Sequence, residues 1–334
     1  MRIFVFEYIT GGGMLDSDLP SSLAVEGDMM LKALLSDLLE IDGVEIITTR
    51  DARLETPDLP VKFQLLHCVE DFRKAWLNCF AFADAVWPIA PEYGDILKHI
   101  SEQVINAGKL LLNSPPQAVQ IASSKMETAI RLSESGVSVV PTYRFEDSIP
   151  DRSGSWVLKP DDGVGCQGIK VCRDRDDLCA QIASLPTDRE YVIQPFIYGT
   201  PISINLLTYN GKTFMLSINQ QRIVRTDSGF LLLGCVVNGY SEHRARFHKI
   251  GRDLVNAMPD LWGIVGVDMI DTEHGLQVLE VNPRITTSYV GLKESTGVNP
   301  AALVLDLLDG RLPLSNQIFK ALVVDVDLGC VGAA

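Results

Sequence analysis

The alternation of strands and helices over the first third of the chain is the feature that most constrains its fold. Four short apolar runs are typical of buried strands, and they cover residues 2–7, 44–49, 85–90 and 109–113. The segments that follow the first three runs are predicted to contain helices, at residues 23–41, 70–82 and 92–107. In the first of these helices Met30, Leu34 and Leu38 fall on one face. This strand–helix–strand rhythm predicts an open, mostly parallel sheet.

The rest of the chain has a different rhythm. A helix is predicted to begin after Ser114, which can cap it, with Pro115 in its first turn. A second helix is predicted near residues 124–135, and it ends at Gly136. Residues 139–173 and 190–240 are predicted to be mostly strands.

Composition narrows the class of protein. At 334 residues the chain can hold two or three small subdomains. Its net charge of −14 argues against a nucleic-acid or anionic-membrane partner, because phosphate groups favour basic surfaces. A nucleotide is not excluded, since it needs only a few local cations. Seven scattered cysteines without a C-x-x-C pair, and no apolar run of about 18 residues, predict a cytoplasmic protein with reduced thiols.

Two acidic segments late in the chain are predicted to pair as a strand–turn–strand hairpin. Asp268 lies in GIVGVDMI and Glu280 in LQVLEVNPR, and both flanks alternate apolar and other residues. Glu280 and Asn282 share a face of their strand, and a loop of three or five residues would place Asp268 opposite Glu280. Two carboxylates and an amide oxygen then suit Mg²⁺ bound with phosphate oxygens, and Arg284 would meet an anion there. The alternative is a polar, solvent-facing hairpin edge.

A lysine followed by a glycine-rich loop is the second candidate element. Lys159 ends an apolar strand, and a loop with Gly163, Gly165 and Gly168 follows it before the next strand. Because glycine has no Cβ, such a loop can close over an anion and offer backbone N–H groups. It is neither a Walker A loop nor a Rossmann fingerprint, since no helix with the required spacing follows. A glycine-rich hairpin with a surface lysine is the alternative.

Two further signals admit a functional and a structural interpretation. Lys125 lies at a predicted helix start, where the helix dipole disfavours a cation unless an anion is near, although a surface lysine would look the same. The strand at residues 191–197 is interrupted by Pro195. That break could free backbone groups to recognise an adenine edge, or it could mark an ordinary edge strand.

The first strand also ends in a polar and glycine-rich segment, residues 7–13. Ligands bind at the carboxyl ends of strands in open α/β sheets, so Glu7, Tyr8 and Thr10 could hold a small amine or amino acid. A purely structural tight turn explains the same residues. Recognition of an aromatic ligand could use Tyr8, Tyr289 or residues elsewhere. The hydroxyls of residues 286–288 could hold phosphate or carboxylate oxygens, although Thr and Ser are also ordinary loop residues.

Taken in order, five of these elements resemble the ATP-grasp superfamily. They are Lys125, the strand VLKP with its glycine loop, the QPFI hinge, VGVD and LEVNPR. The resemblance covers about residues 113–310. It implies an α/β protein with the ATP-grasp fold, in which two α+β subdomains, residues 113–198 and 199–334, clamp ATP. Residues 1–112 resemble the α/β domain that precedes this fold.

A narrower resemblance concerns the segments FEYITGGG and NPRITTSYVGL. These segments are similar to the tyramine–glutamate ligase group of methanofuran and methylofuran biosynthesis.

The wider resemblance implies roles for the matching residues. Lys125 and Lys159 would bind the ATP phosphates. Lys159 would also be a catalytic residue, as would Arg284, which would neutralise the transferred phosphoryl group. The mobile loop over the phosphates would contain Gly163, Gly165 and Gly168. The adenine slot would be lined, mainly through backbone, by Gln194, Phe196 and Ile197. Two Mg²⁺ ions, for which Mn²⁺ could substitute, would be held by Asp268, Glu280 and Asn282.

Two departures from the superfamily pattern leave contacts unassigned. Many relatives have an acid for the ribose where this chain has Pro201. Some relatives place an arginine two residues before the metal aspartate, where this chain has Gly266. The ribose contact and part of the phosphate clamp therefore have no assigned residue.

The resemblance implies an ADP-forming carboxylate–amine ligase. Its partners would be small-molecule substrates, glutamate and an aromatic amine such as tyramine or tyrosine. A homodimer is a common assembly of such ligases. The alternatives are a ligase for another amino-acid pair, or an ATP-binding protein without chemistry. A nicotinamide-dependent dehydrogenase is disfavoured because G-x-G-x-x-G is missing.

Overall fold

A computed structural model describes residues 1–145, 147, 149–163, 165–186, 189–226, 229–313 and 320–329. The six cysteines in these ranges are free thiols, and Cys330 lies outside the described residues. No helix among the described residues combines the length and the apolar character needed to cross a bilayer.

The N-terminal part is a five-stranded sheet whose paired strands all run parallel, which confirms the predicted open sheet. In spatial order its strands are β3 (Lys62–Leu66), β2 (Glu45–Asp51), β1 (Arg2–Glu7), β4 (Ala85–Ile89) and β5 (Leu110–Leu111). Its helices are α1 (Ser21–Leu39), α2 (Val69–Phe82) and α3 (Ile96–Asn106). Strand β3 was not predicted, because only one of its five residues is fully buried and its sequence is not an apolar run.

Two helices and a small sheet follow. The helices are α4 (Pro116–Ser123) and α5 (Lys125–Glu134), and α5 stops before the left-handed Gly136 as predicted. The capping role predicted for Ser114 is wrong: α4 begins at Pro116, and the Ser114 hydroxyl instead bonds the backbone of Trp262. The sheet has the order β7 (Lys170–Cys172), β6 (Trp156–Pro160) and β8 (Tyr191–Pro195), with α6 (Arg175–Ala183) between β7 and β8 in sequence.

The C-terminal part is built on a six-stranded antiparallel sheet. In spatial order its strands are β13 (Gly275–Asn282), β12 (Gly263–Thr272), β9 (Thr200–Tyr209), β10 (Lys212–Thr226), β11 (Gly229–Val237) and β14 (Val324–Asp327). Its helices are α7 (Arg244–Ala257), α8 (Leu292–Thr296) and α9 (Pro300–Leu308). One hydrophobic cluster joins α1 to α8 and α9, so the two ends of the chain share a core.

Candidate active site

The hairpin of β12 and β13 places Asp268 directly opposite Glu280, as expected, but by a different route. The connecting loop is two residues long, because Thr272 already pairs with Gly275. In a regular ladder from that turn Asp268 would lie opposite Leu279. The register shifts by one residue beside Asp268, so Leu279 is the extra residue of a β-bulge. The loop is therefore neither three nor five residues long, the condition set for this pairing, and the bulge brings the two carboxylates together instead.

Asp268 is held between two amide groups. Its Oδ1 accepts a hydrogen bond from Gln221 Nε2 at 2.8 Å, and its Oδ2 accepts one from Asn282 Nδ2 at 3.0 Å. Burial, followed by repulsion from Glu280, raises the pKa of Asp268. A cation bound beside Asp268 would act in the opposite direction and lower its pKa. Gln221 was not predicted, because nothing in the β10 sequence connects it to the hairpin.

Glu280 has a lysine as its partner. Lys125 Nζ lies 3.3 Å from Glu280 Oε2, and it also donates to the backbone oxygens of Gly163 at 2.7 Å and Asp161 at 3.3 Å. Burial would raise the pKa of Glu280, but Lys125 and then Lys159 outweigh it and lower the pKa. Lys125 is the first residue of α5 and is almost fully buried, so it is not a surface lysine. The anion beside Lys125 in this structure is the Glu280 carboxylate, and the phosphate contact predicted for this lysine stays a prediction.

Lys159 lies in β6, next to the glycine loop. It is 5% exposed, and burial lowers its pKa to about 8, although Glu280 acts in the opposite direction. Gly165 and Gly168 have φ angles of 60° and 70°, which favour glycine. A Cβ on Gly168 would lie 3.1 Å from Pro160 Cγ, so the loop packs closely on the end of β6.

A cavity of about 360 Å³ brings the predicted site residues together. All of them line it except Gly168, which packs on Pro160 instead. Next to the strand break at Pro195, Phe196 stacks on Phe230 with ring centroids 6.2 Å apart, and the Arg225 guanidinium lies 5.5 Å from the centroid of the Phe196 ring. The Gln194 amide donates to Thr142 Oγ1 at 2.9 Å, which fixes that side chain.

Arg284 enters the cavity from a loop, because β13 ends at Asn282. Its NH2 group lies 2.9 Å from Glu92 Oε2, and its NH1 group donates to the Ile285 carbonyl. Burial would lower the pKa of Arg284, but Glu92 outweighs it and raises the pKa. Glu92 follows β4 and was not predicted. An acid at the carboxyl end of a parallel strand was the signal that could have identified it.

The hydroxyls of residues 286–288 line the cavity beside Arg284. Thr286 and Ser288 share a hydrogen bond of 3.1 Å, and Thr287 donates to Glu26 of α1. Tyr289 does not belong to this group. Its side chain is 1% exposed and its hydroxyl donates to Asp37 Oδ2 at 2.8 Å, so the suggested part in aromatic recognition is wrong.

Glu7 forms the turn after β1, as the structural interpretation expected. Its carboxylate accepts hydrogen bonds from Ile9 N, Thr10 N and the Thr10 hydroxyl. Burial raises its pKa to about 7, although the Thr10 bonds act in the opposite direction. Tyr8 packs against Phe6 and does not line the cavity of the site or the smaller cavity beside it.

The donor set at the hairpin fits a hard cation. Asp268, Glu280 and Asn282 offer oxygens, which Mg²⁺ prefers, once the Asn282 amide rotates to present its oxygen. Among the described residues no group of three or more His, Cys, Asp or Glu could hold a metal ion. A cation here would therefore need further oxygens from phosphate groups or water.

Comparisons with known proteins agree with this geometry. The ATP-grasp domain family matches residues 122–288, and the pre ATP-grasp 3 domain family matches residues 44–119. The tyramine–L-glutamate ligase of Methanocaldococcus jannaschii is 28% identical over 295 residues, which cover 87% of this chain and 84% of that protein.

Two solved structures are also similar. A putative ATP-grasp superfamily protein from Archaeoglobus fulgidus superposes with a TM-score of 0.69 at 21% identity, covering 98% of this chain and 100% of that one. The second is the biotin carboxylase domain of Hydrogenobacter thermophilus 2-oxoglutarate carboxylase, in complex with the magnesium salt of ADP and with bicarbonate. It superposes with a TM-score of 0.72 at 15% identity, covering 96% of this chain and 72% of that one.

Proposed function

The chain belongs to the ATP-grasp family, and we propose that it is an ADP-forming carboxylate–amine ligase that joins glutamate to tyramine or tyrosine. One observation carries the proposal: two buried lysines, the Asp268–Glu280 pair and Arg284 converge in one cavity beside a glycine loop. The similarity to a tyramine–L-glutamate ligase supports the choice of substrates. The resemblance noted in the sequence suggests use in methanofuran or methylofuran biosynthesis.

ATP would occupy the large cavity. Its adenine would lie against Phe196 and the backbone of neighbouring hinge residues, and its phosphates would lie near Lys125 and Lys159. Two Mg²⁺ ions, or Mn²⁺ in their place, would be held by Asp268, Glu280 and Asn282. When bound, these ions would neutralise phosphate charge. The magnesium salt of ADP in a structurally similar carboxylase domain supports this choice of cation.

The first step transfers a phosphoryl group. The side-chain carboxylate of glutamate attacks the γ-phosphorus of ATP, the bond from that phosphorus to the ADP oxygen breaks, and an acyl phosphate forms. The lysines and Arg284 spread the charge of the transferring group, so catalysis consists mainly of positioning and electrostatics. Closure of the loop with Gly163, Gly165 and Gly168 would exclude water, which would otherwise hydrolyse the acyl phosphate.

The second step forms the amide. The amine nitrogen attacks the acyl carbon, the C–N bond forms, and the bond from that carbon to the phosphate oxygen breaks. The nitrogen loses its extra protons to the departing phosphate and to water. Arg284 and the hydroxyls of residues 286–288 lie together, so they can stabilise the tetrahedral oxyanion.

Two alternatives are less well supported. A ligase for another amino-acid pair would use the same groups, and only substrate tests separate it. A binding protein that catalyses no reaction would not need Glu280 beside Asp268, because the two buried carboxylates repel each other. The proposal also includes a division into three domains, at residues 1–112, 113–198 and 199–334. It further includes a cytoplasmic location and a homodimer.

The test is ADP release from ATP and Mg²⁺ with L-glutamate, with and without tyramine, tyrosine and a panel of other amines. Amine-dependent release, with the matching glutamyl amide found by mass spectrometry, would support the proposal. Release with a different acid and amine only would favour the alternative ligase. ATP binding without release for any pair would favour the binding protein.

A further inference from the structure

A second, smaller cavity of about 60 Å³ lies beside the first. Helix α1, the ends of β1 and β4, and Tyr93 form its walls. Six of its side chains give it a mainly apolar lining: Ile9, Leu23, Met30, Ile89, Pro91 and Tyr93. Glu7 and Glu26 are the acidic groups in this lining. The cavity therefore has apolar walls, with Glu7, Glu26 and the cationic Arg284 as its acidic and basic groups.

Three residues line both cavities: Glu26, Gly165 and Arg284. The small cavity consequently meets the large one at Arg284, where the acyl phosphate would form. Glu26 is fixed at this junction, because one of its oxygens accepts a hydrogen bond from Thr287. A group bound by Glu26 would lie next to Arg284 and the neighbouring hydroxyls.

Glu26 differs from the other acids of the site in its partners. Glu280 faces Lys125, and Glu92 faces Arg284. Among the described residues Glu26 forms no ion pair, and its Oε2 atom has no hydrogen-bond partner. Glu7 has both oxygens engaged by the turn after β1, so it offers no free acceptor. Glu26 is thus the carboxylate that a cationic ligand group can reach from both cavities.

We propose that Glu26 binds the ammonium group of the acceptor amine and that the small cavity takes the adjoining apolar part of that substrate. This inference rests on the proposed function and names the acceptor half of the same site. Charge separates the two substrates: the carboxylate of glutamate is attracted to the lysines and Arg284, whereas Glu26 repels it. An amine held by Glu26 lies beside the acyl carbon before it loses its proton and attacks.

The test compares two nucleophiles for the same acyl phosphate. Hydroxylamine is uncharged near neutral pH, so it can intercept the acyl phosphate as a hydroxamate without a carboxylate partner. Tyramine is an ammonium ion at that pH and would need Glu26. Rates of hydroxamate and amide formation are measured, with ATP, Mg²⁺ and L-glutamate, for the wild-type protein, Glu26→Gln, Glu26→Asp and Glu134→Gln. Glu134 is an exposed acid at the end of α5 and serves as the matched control.

We expect Glu26→Gln to lower the ratio of amide to hydroxamate by at least about tenfold, because one charge-assisted hydrogen bond to the ammonium group is lost. The KM for tyramine should also rise. Glu26→Asp should recover part of the ratio, and Glu134→Gln should leave it unchanged. A wild-type ratio in Glu26→Gln, or an equal fall of both products, would overturn this inference alone. A wild-type protein that forms neither product with any pair would instead overturn the proposed function.

Discussion

Arg284 and Glu92 form a buried ion pair of 2.9 Å between residues 192 positions apart in sequence. Arg284 follows the hairpin that carries Asp268 and Glu280, and Glu92 follows β4 of the N-terminal sheet. The position of the guanidinium in the cavity is therefore set by the N-terminal part of the chain. Docking of that sheet is a condition for a complete site.

Removal of one partner of this pair should destabilise the protein, and removal of both should not. Arg284→Met leaves the Glu92 carboxylate buried and unpaired, so we expect a loss of about 3–5 kcal/mol in the free energy of unfolding. The double variant Arg284→Met/Glu92→Leu should recover most of that loss, and both variants should lack ligase turnover. Urea denaturation and ADP release measure these outcomes. A double variant as unstable as the single one would show that the pair is not coupled.

Glu280→Gln should abolish turnover in a protein that still folds. The amide oxygen carries no negative charge and binds a cation more weakly than the carboxylate, so we expect a fall in ADP release of at least about a hundredfold. The stabilisation of the protein by Mg²⁺ and ADP in thermal unfolding should also be lost. Glu273→Gln, in the exposed loop of the same hairpin, is the matched control and should behave as wild type. Near wild-type rates in Glu280→Gln would remove the metal assignment.

Glu7 should make the stability of the protein fall as pH rises from about 4.5 to 7. Its pKa in the folded state is about 7, above its ordinary value of 4.5, so in this window the folded state retains a proton that the unfolded state has lost. The free energy of unfolding then decreases with pH, by on the order of 3 kcal/mol in total. Glu7→Gln should lack this contribution. Urea unfolding at pH 5 and pH 7 tests it, and equal pH dependence in the two proteins would contradict it.

Tyr289→Phe should affect stability and not substrate binding. The change removes the hydrogen bond to Asp37 inside the core, which should cost about 1–3 kcal/mol in the free energy of unfolding. The KM values for both substrates should stay at wild-type values, because Tyr289 does not line either cavity. A raised KM for the amine would restore Tyr289 as a substrate contact.

Gly168→Ala should weaken ATP use, whereas Gly43→Ala should not. Both glycines have left-handed φ angles, so each substitution should cost about 1 kcal/mol in stability. A Cβ at Gly43 meets nothing within 4 Å, but at Gly168 it would press on Pro160 and displace the loop beside Lys159. The KM for ATP should therefore rise several-fold only in Gly168→Ala. Equal KM values in the two variants would argue against a loop that covers the phosphates.

The parts of the site that could be predicted are those encoded locally. Alternation along two segments was enough to predict the hairpin that carries Asp268 and Glu280, although their direct pairing depends on the bulge at Leu279. Glycines between strands were enough to indicate the loop. Glu26, Glu92 and Gln221 were missed, because each comes from an element far away in sequence. Glu26 in particular occupies an ordinary polar position of a helix, and only the packing of α1 against residues 286–288 gives it a role.

Two failed expectations have a common physical reason. Tyr289 stands next to the site motif and Tyr8 next to the glycine run, so the position of each in the sequence suggests substrate contact. Sequence position does not determine the direction of a side chain. Tyr289 turns into the core toward Asp37, and Tyr8 packs on Phe6.

The bulge at Leu279 has a consequence for the linear sequence of β13. Residues that face the core occur at Leu276, Val278 and Val281, so their spacing changes from two to three at the bulge. The hydrophobic alternation before Leu279 is therefore out of phase with the alternation after it. A phase break of this kind, next to acidic residues in an otherwise regular strand, can be sought in other sequences without any structure.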